Sequence, residues 1–348
     1  MPDQPPINPS TAYSGYAHGA KASPDVASRA LQHALGKRGV LTLSGHWRIW
    51  LLLTPHFQHC IADCVDRVAR ESGSLNVVGC LANGVFSDDD WSLDSPGAVV
   101  LLEPAPVHSA RWRLTLAAPN ALEGDWKTDG KLRLGGIAGD ATGGGPYCLW
   151  QGRHISAGRI DLPCRQPRWL LADGFTPDGP RHRVSASQGL SISGLNGVPA
   201  LPQLAHWLKP ESVSAHWQGA LWRKQSGNTS RWLPLIGLDQ AAGAILLAGQ
   251  TAPGDLLTWG HQDAARATQR LQHGLQRMCA KRKPAYALAF ASQHGGAYAG
   301  SGTDPFWQAM RAALPGVPFA GFYGNGQLAP LAKGLQVLDN SVLVVLFD

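Results

Sequence analysis

The sequence predicts an α/β (α+β) protein of two related domains, each a mixed β-sheet with packed helices. Three observations lead there. Residues 317–348 read as a buried strand ending in Gly-Asn-Gly, a connection, and a closing strand rich in Val and Leu. The stretch from Asn76 to Glu103 repeats that design, with Gly79 standing for Gly321, Asn83 for Asn325 and Gly84 for Gly326. Each copy follows an apolar run and a helical segment: Ile49–Leu53 with Phe57–Arg70, and Tyr286–Ala291 with Pro305–Leu314. A shared order of strand, helix, strand, Asn-Gly and strand points to internal duplication. A chain of 348 residues is long enough for two cores.

Along the chain, residues 1–22 are rich in Pro, Ser, Gly and small side chains and are expected to form a loose lead-in. Ser23 followed by Pro24 is a helix-start signal, and Ala27, Leu31, Ala34 and Leu35 recur at helical spacing through Gly36. Beyond the first copy, residues 111–118, 132–137, 147–150, 154–161 and 168–172 alternate as short strands between turns. The glycine-rich run 135–146 lacks a terminal Gly-Lys-Ser/Thr and reads as a flexible sheet connection rather than a phosphate loop. A hairpin is expected around Gln188-Gly189, and an Asn196-Gly197 turn marks the domain boundary, giving domains 23–196 and 197–348. The second domain has a helix starting at Pro199, strands at 214–224, 242–247 and 255–259, and a long helix over 261–279 before the second copy.

Hydrophobic residues make up 44% and charged residues 16%, which excludes a disordered chain. The net charge of +6 is spread thinly, with no basic face or arm of the kind that nucleic acid requires. The 13 Trp residues are read as sheet and core packing. Six cysteines show no CxxC spacing, so free buried thiols are expected, and with no leader-like or bilayer-length apolar run the chain reads as cytoplasmic. His56, His59 and Cys60 come nearest to metal spacing, without a matching second pair.

The motifs Val77–Val85 (VVGCLANGV), Leu134–Gly139 (LGGIAG), Asp173–Pro180 (DGFTPDGP) with Gly194–Leu201 (GLNGVPAL), and Pro318–Pro330 (PFAGFYGNGQLAP) resemble the FIST family. The last is the most specific. The resemblance covers nearly all the chain after Trp47 and implies FIST N-terminal-like and C-terminal-like domains. It also implies a sensory protein that binds a small amino-acid-like ligand and signals to a separate partner, a kinase or cyclic-dinucleotide enzyme. Some family members bind haem and respond to nitric oxide, which makes haem an alternative cofactor. The chain departs from the family at Gln327, where relatives commonly have Glu, and at Ser292–Gly296, where they often have Cys and Arg. With no sequence left over for an output domain, a stand-alone sensor is expected.

The candidate ligand-binding residues lie at the two bends: Gly79, Cys80, Asn83 and Gly84 in the first copy, and Gly321, Tyr323, Asn325, Gly326 and Gln327 in the second. Asn-Gly tolerates positive φ, so each bend is expected to reverse tightly and converge its backbone N–H groups on a polar ligand. The two bends are expected to line one cleft between the domains. The alternative is that Asn-Gly merely closes a hairpin. Enzymatic motifs are absent: there is no GxSxG, HExxH or P-loop. Cys80 is the one thiol considered for a hydrolase, with His46, His56 and His294 as candidate bases. The Asp88-Asp89-Asp90 run is read as a solvated loop.

Overall fold

A computed structural model describes residues 11–44, 46–104, 111–122, 129–140, 145–204, 207, 218–223, 230–292, 303–331 and 334–348. The chain divides into two compact units, Met1–Ala172 with Thr268–Asp348, and Asp173–Ala267. The division expected at Asn196 therefore falls inside the smaller unit, in a turn where Asn196 has a φ of 51°.

The larger unit opens with β1 (Tyr13–His18), α1 (Pro24–Arg38), β2 (Trp47–Leu53), a 3₁₀ turn (Pro55–Cys60) and α2 (Ile61–Ser72). β3 (Val77–Leu81), β4 (Gly84–Ser87), β5 (Trp91–Ser92) and β6 (Gly97–Pro104) complete the first copy. β7 (Trp112–Ala117), β8 (Leu132–Ile137), β9 (Leu149–Gln151), β10 (His154–Ser156), β11 (Arg159–Pro163) and β12 (Arg168–Asp173) follow. The smaller unit contains β13 (Phe175–Thr176), β14 (Arg181–Gln188), β15 (Ser191–Leu195), β16 (Val198–Pro199), α3 (Ala200–Leu204) and β17 (Gln218–Arg223). It ends with β18 (Ser230–Asp239), β19 (Ala244–Leu247) and β20 (Leu256–Gln262). The chain then runs through α4 (Ala264–Lys281), β21 (Tyr286–Ser292), α5 (Pro305–Ala313), β22 (Phe319–Gly324), β23 (Gly326–Leu331), β24 (Gly334–Leu338) and β25 (Ser341–Phe347).

This is the mixed α/β architecture expected, although the lead-in is shorter than read: Tyr13–His18 pairs antiparallel with β6 as a sheet edge. Residues 1–10 lie outside the described residues. One sheet has the order β1-β6-β2-β3-β9-β10 and a second β12-β25-β21-β22-β4-β5. In both, the strand before the helix is parallel to the strand after it (β2 with β3, β21 with β22) and antiparallel to the closing strand (β6, β25). The correspondence is one of topology and does not by itself show duplication. A third sheet, β11-β7-β8-β23-β24, completes the larger unit.

Period-two alternation decides which side chains face which core. In β2, Ile49, Leu51 and Leu53 pack with Leu31 of α1 and Val65 and Val68 of α2. Trp50 and Leu52 point the other way, into a core shared with Leu116 and Leu134 of the third sheet and Leu288, Phe290 and Phe322 of the second. α1 begins at the Ser23–Pro24 signal and is closed by Gly39 at φ 78°, whose N–H donates to Gly36 O. α5 begins at Asp304, which accepts from the N–H groups of Phe306 and Trp307.

In the smaller unit, β20 pairs with β14 on one side and β17 on the other, so β20, β14, β15, β19, β18 and β17 form a closed antiparallel ring. Val184, Ile192, Leu233, Leu235, Leu257 and Trp259 belong to its core. The long helix begins at Ala264 rather than His261, because His261 and Gln262 extend β20.

A buried carboxylate joins the sheets of the larger unit. Glu103 is fully buried and accepts from Trp50 Nε1 and Tyr286 Oη, each at 2.7 Å, with Arg48 Nη1 at 3.5 Å. Arg48 Nη2 donates to Pro163 O at 3.1 Å. Glu103→Ala leaves Arg48 in the interior without its counter-charge, and the expected loss is about 3–5 kcal/mol of unfolding free energy. Urea unfolding reads this directly, and a loss below about 1 kcal/mol would be that of an ordinary surface pair instead.

Asp304 supplies a pH signature. Its Oδ2 has no hydrogen-bond partner among the described residues, and burial raises the carboxyl to about 6 from an ordinary 3.8. A folded-state pKa above the unfolded one means the folded chain holds the proton more tightly, so this group's contribution to stability falls as pH rises from about 4 to about 6. Asp304→Asn keeps a capping acceptor and is expected to flatten the melting profile across that window relative to the parent. Equal slopes in the two proteins would contradict it.

Candidate functional site

The two bends do not turn back as hairpins. β3 lies between β2 and β9 in the first sheet, whereas β4, two residues on, pairs with β22 in the second. β22 likewise lies in the second sheet and β23 in the third. Each Asn-Gly is a point where the chain changes sheets. Among the described non-glycine residues positive φ occurs at Asn196 and Asn340, not at Asn83 or Asn325. Gly326 has a φ of 146°, and Gly84 is not in the left-handed region.

The glycines are explained by close packing. Gly79 lies between Leu51 and Trp150, and a Cβ there would fall 1.7 Å from Leu51 O and 2.9 Å from Trp150 Nε1. Gly321 lies between Ala289 and Phe86, with a Cβ 2.3 Å from Ala289 O and 2.4 Å from the Phe86 ring. Each admits an aromatic side chain from the flanking antiparallel strand. Gly84 pairs with Tyr323, whose ring stacks at a tilt on Phe86 with centroids 5.0 Å apart. The structure thus brings Gly84 and Tyr323 together, one from each copy.

The two asparagines also converge, on backbone rather than on a hollow. Asn325 takes Ile137 O with its N–H and Ala138 O with its Nδ2, each at 3.0 Å. Asn83 lies against Gly139, where a Cβ would fall 2.0 Å from Asn83 Oδ1. Both bends therefore grip the end of β8 inside the larger unit, not an interdomain cleft. Gln327 is fully buried; its Oε1 accepts from Ser341 Oγ at 2.5 Å, and its Nε2 has no partner among the described residues. Of the Ser292–Gly296 stretch only Ser292 is described; it donates to Asp339.

Cys80 is fully buried, and burial pushes its thiol well above the ordinary range. Such a thiol stays protonated and is unsuited to nucleophilic chemistry. His294 lies outside the described residues. Among the described residues, no group of three or more His, Cys, Asp or Glu could hold a metal ion.

An open cleft of about 730 Å³ lies beside the first copy, where the C-terminal end of β1, one face of α1 and the β4–β5 connection meet. Tyr16, His18, Arg29, Gln32, His33, Gly36, Lys37, Asp89 and Asp90 line it. β1 is an edge strand, and its outward carbonyls are met from α1: Arg29 Nη2 donates to His18 O at 2.7 Å, and His33 Nδ1 lies 2.6 Å from Tyr16 O. Lys37 Nζ reaches Asp88 at 3.2 Å and Asp89 at 2.8 Å. None of the candidate ligand-binding residues lines this cleft, whereas Asp89 and Asp90, expected only as part of a solvated loop, do. The available signal was Arg29, His33 and Lys37 at four-residue spacing on an amphipathic helix, beside a later run of three aspartates.

Haem does not fit these residues. Among the described histidines only His182 is buried, and its Nδ1 faces the Asn196 amide at 3.0 Å in the small ring. His18 and His33 line an open, charged groove rather than the apolar pocket that an axial imidazole needs. No helix among the described residues is long and apolar enough to cross a membrane. Comparison with protein-family models and with curated proteins finds no match to this chain.

The burial of Cys80 has a direct readout. Alkylation of the native protein by iodoacetamide is expected to be at least about a hundredfold slower at Cys80 than in the urea-unfolded chain. Peptide mass spectrometry shows it, and comparable rates in both states would mean that this strand is open to solvent.

Proposed function

We propose that this chain is a cytoplasmic sensory protein that binds a small polar, amino-acid-like metabolite and reports its occupancy to a separate signalling protein, a kinase or cyclic-dinucleotide enzyme. The observation that carries the reading is the cleft on the larger unit. Its volume of about 730 Å³ is that of a small-metabolite site. Cationic side chains of α1 form one wall, and Asp89 and Asp90 line the same space. Groups of both signs within one groove suit a zwitterion, whose carboxylate and ammonium each need an opposite charge. The resemblance to the FIST family supports the sensory role and the class of partner.

The bends at Asn83 and Asn325 have a supporting part in this reading. They fix β8 and the crossing strand β4, and β4 leads directly into the aspartates of the cleft. Recognition therefore shifts from the Gly-Asn-Gly backbone to side chains that the bends help to place.

Binding to the folded state alone raises the melting temperature once ligand exceeds Kd. A thermal-shift screen of the common amino acids with the full chain is expected to give upward shifts that Asp90→Asn and Arg29→Met each reduce. An unmoved melting temperature across the screen, confirmed by calorimetric titration, would remove the proposal.

A further inference from the structure

We infer that the ligand of this cleft is an acidic amino acid, a small dicarboxylate carrying an ammonium group, and that Gly36 sets the width of the space it occupies. The inference rests on reading the cleft as the ligand site. Arg29, His33 and Lys37 are spaced four residues apart on α1, so their Cα atoms advance by about 6 Å per step along one face. These three basic side chains are not equivalent. Lys37 is already matched by Asp88 and Asp89. Arg29 and His33 are oriented by backbone carbonyls, which fix position without cancelling charge.

A carbonyl oxygen can only accept, so His33 Nδ1 must carry the proton of its bond to Tyr16 O. Nε2 is then the ring nitrogen left for a ligand contact. Arg29 spends one of its N–H donors on His18 O, which leaves the guanidinium plane oriented for a second acceptor. The cleft thus offers a guanidinium and an imidazole, both pre-placed, about one helical turn apart. Of the two aspartates lining it, Asp89 is taken by Lys37, while Asp90 accepts from the Trp91 N–H at 2.9 Å through Oδ1 and has no cation paired with it among the described residues, which makes it the one for an ammonium. Two carboxylates separated by a short carbon chain, with an amino group between, complement that set.

Arg29 and His33 have a plain structural task as well, since they cap the open edge of β1. That task explains neither Asp90 nor Gly36. Glycine is a poor helix former, yet Gly36 lies within α1 at a position where a Cβ would meet nothing within 4 Å. No packing partner demands its small size. The space it leaves belongs to the cleft, and a longer side chain there would stand between α1 and the aspartates.

Isothermal titration of the full chain with L-glutamate, L-aspartate, glutarate and L-glutamine tests the inference. Glutamate or aspartate is expected to bind at least tenfold more tightly than glutarate, which lacks the ammonium, and than glutamine, which lacks the second carboxylate. Gly36→Leu is expected to lose at least tenfold in that affinity with an unchanged or raised melting temperature, and Arg29→Gln to lose a similar factor. Glutamine or another neutral amino acid binding as well as glutamate would overturn the dicarboxylate assignment while leaving the sensor reading intact. Gly36→Leu binding like the parent would overturn the role given to Gly36. No binding by any of the amino acids would remove both readings together.

Discussion

The larger unit depends on a single carboxylate held away from water. Glu103 sits directly across from Arg48 in the β2–β6 ladder, and Trp50, two residues along β2, shares its face. Tyr286 reaches it from β21 in the second sheet, and Arg48 continues to a carbonyl in β11 of the third. Removing two ions from water is expensive, and the cost is offset only when the remaining lone pairs find donors. Here they do, because Trp50 and Tyr286 both donate, and burial with the nearby Glu103 keeps the Tyr286 hydroxyl protonated. The consequence is registration. A slip of one residue in β6 would turn Glu103 to the helix-packed face and bring Leu102 into the polar junction. The network therefore specifies how three sheets meet as much as how firmly they hold.

Glycine solves a second problem of the same unit. The centres of β3 and β22 lie beside a parallel neighbour on one side and an aromatic-bearing antiparallel strand on the other. Without a Cβ at Gly79 or Gly321, the rings of Trp150 and Phe86 can lie across the strand and fill the gap. The same residue type was expected to bring backbone near a ligand. What it brings near is another part of the chain, and a glycine meets that need at the matching place of both sheets while the cleft lies elsewhere.

Much of this was legible in the sequence, and what was not has a physical reason. Strands such as Ile49–Leu53 and Ser341–Phe347 announce themselves by apolar content, and α1 and α5 by Pro after a capping residue, because those signals are local. The boundary near Asn196 was misplaced because a turn says nothing about which strands will pair. Ring closure in the smaller unit depends on β20 reaching both β14 and β17, partners set by tertiary contact. Asn83-Gly84 suggests a hairpin or a tight reversal for the same reason, whereas β4 finds its partner in β22, over two hundred residues away. The cleft was missed because its walls come from three separate stretches, none of which carries a motif alone.

The position of the cleft bears on how occupancy can be transmitted. Asp88, next to the two aspartates that line it, accepts from Ser14 of β1 and from Lys37 of α1, and lies 3.4 Å from the N–H of Phe319 at the start of β22. One residue earlier, Ser87 O accepts from Trp307 Nε1 of α5 at 2.6 Å. The acidic wall of the cleft is thus an extension of β4, tied to the second sheet and to its helix, whereas the basic wall belongs to the first. A ligand shifts an equilibrium only by as much as it distinguishes between states. On the proposed reading, the ligand makes that distinction by bridging the two walls, with its carboxylates at Arg29 and His33 of α1 and its ammonium at Asp90. Such a bridge adds to the Lys37 pairs that already tie α1 to the loop following β4. The Lys37 pairs are exposed and individually weak, which suits a junction that a ligand can reinforce, while the buried Glu103 network holds the sheets fixed behind it.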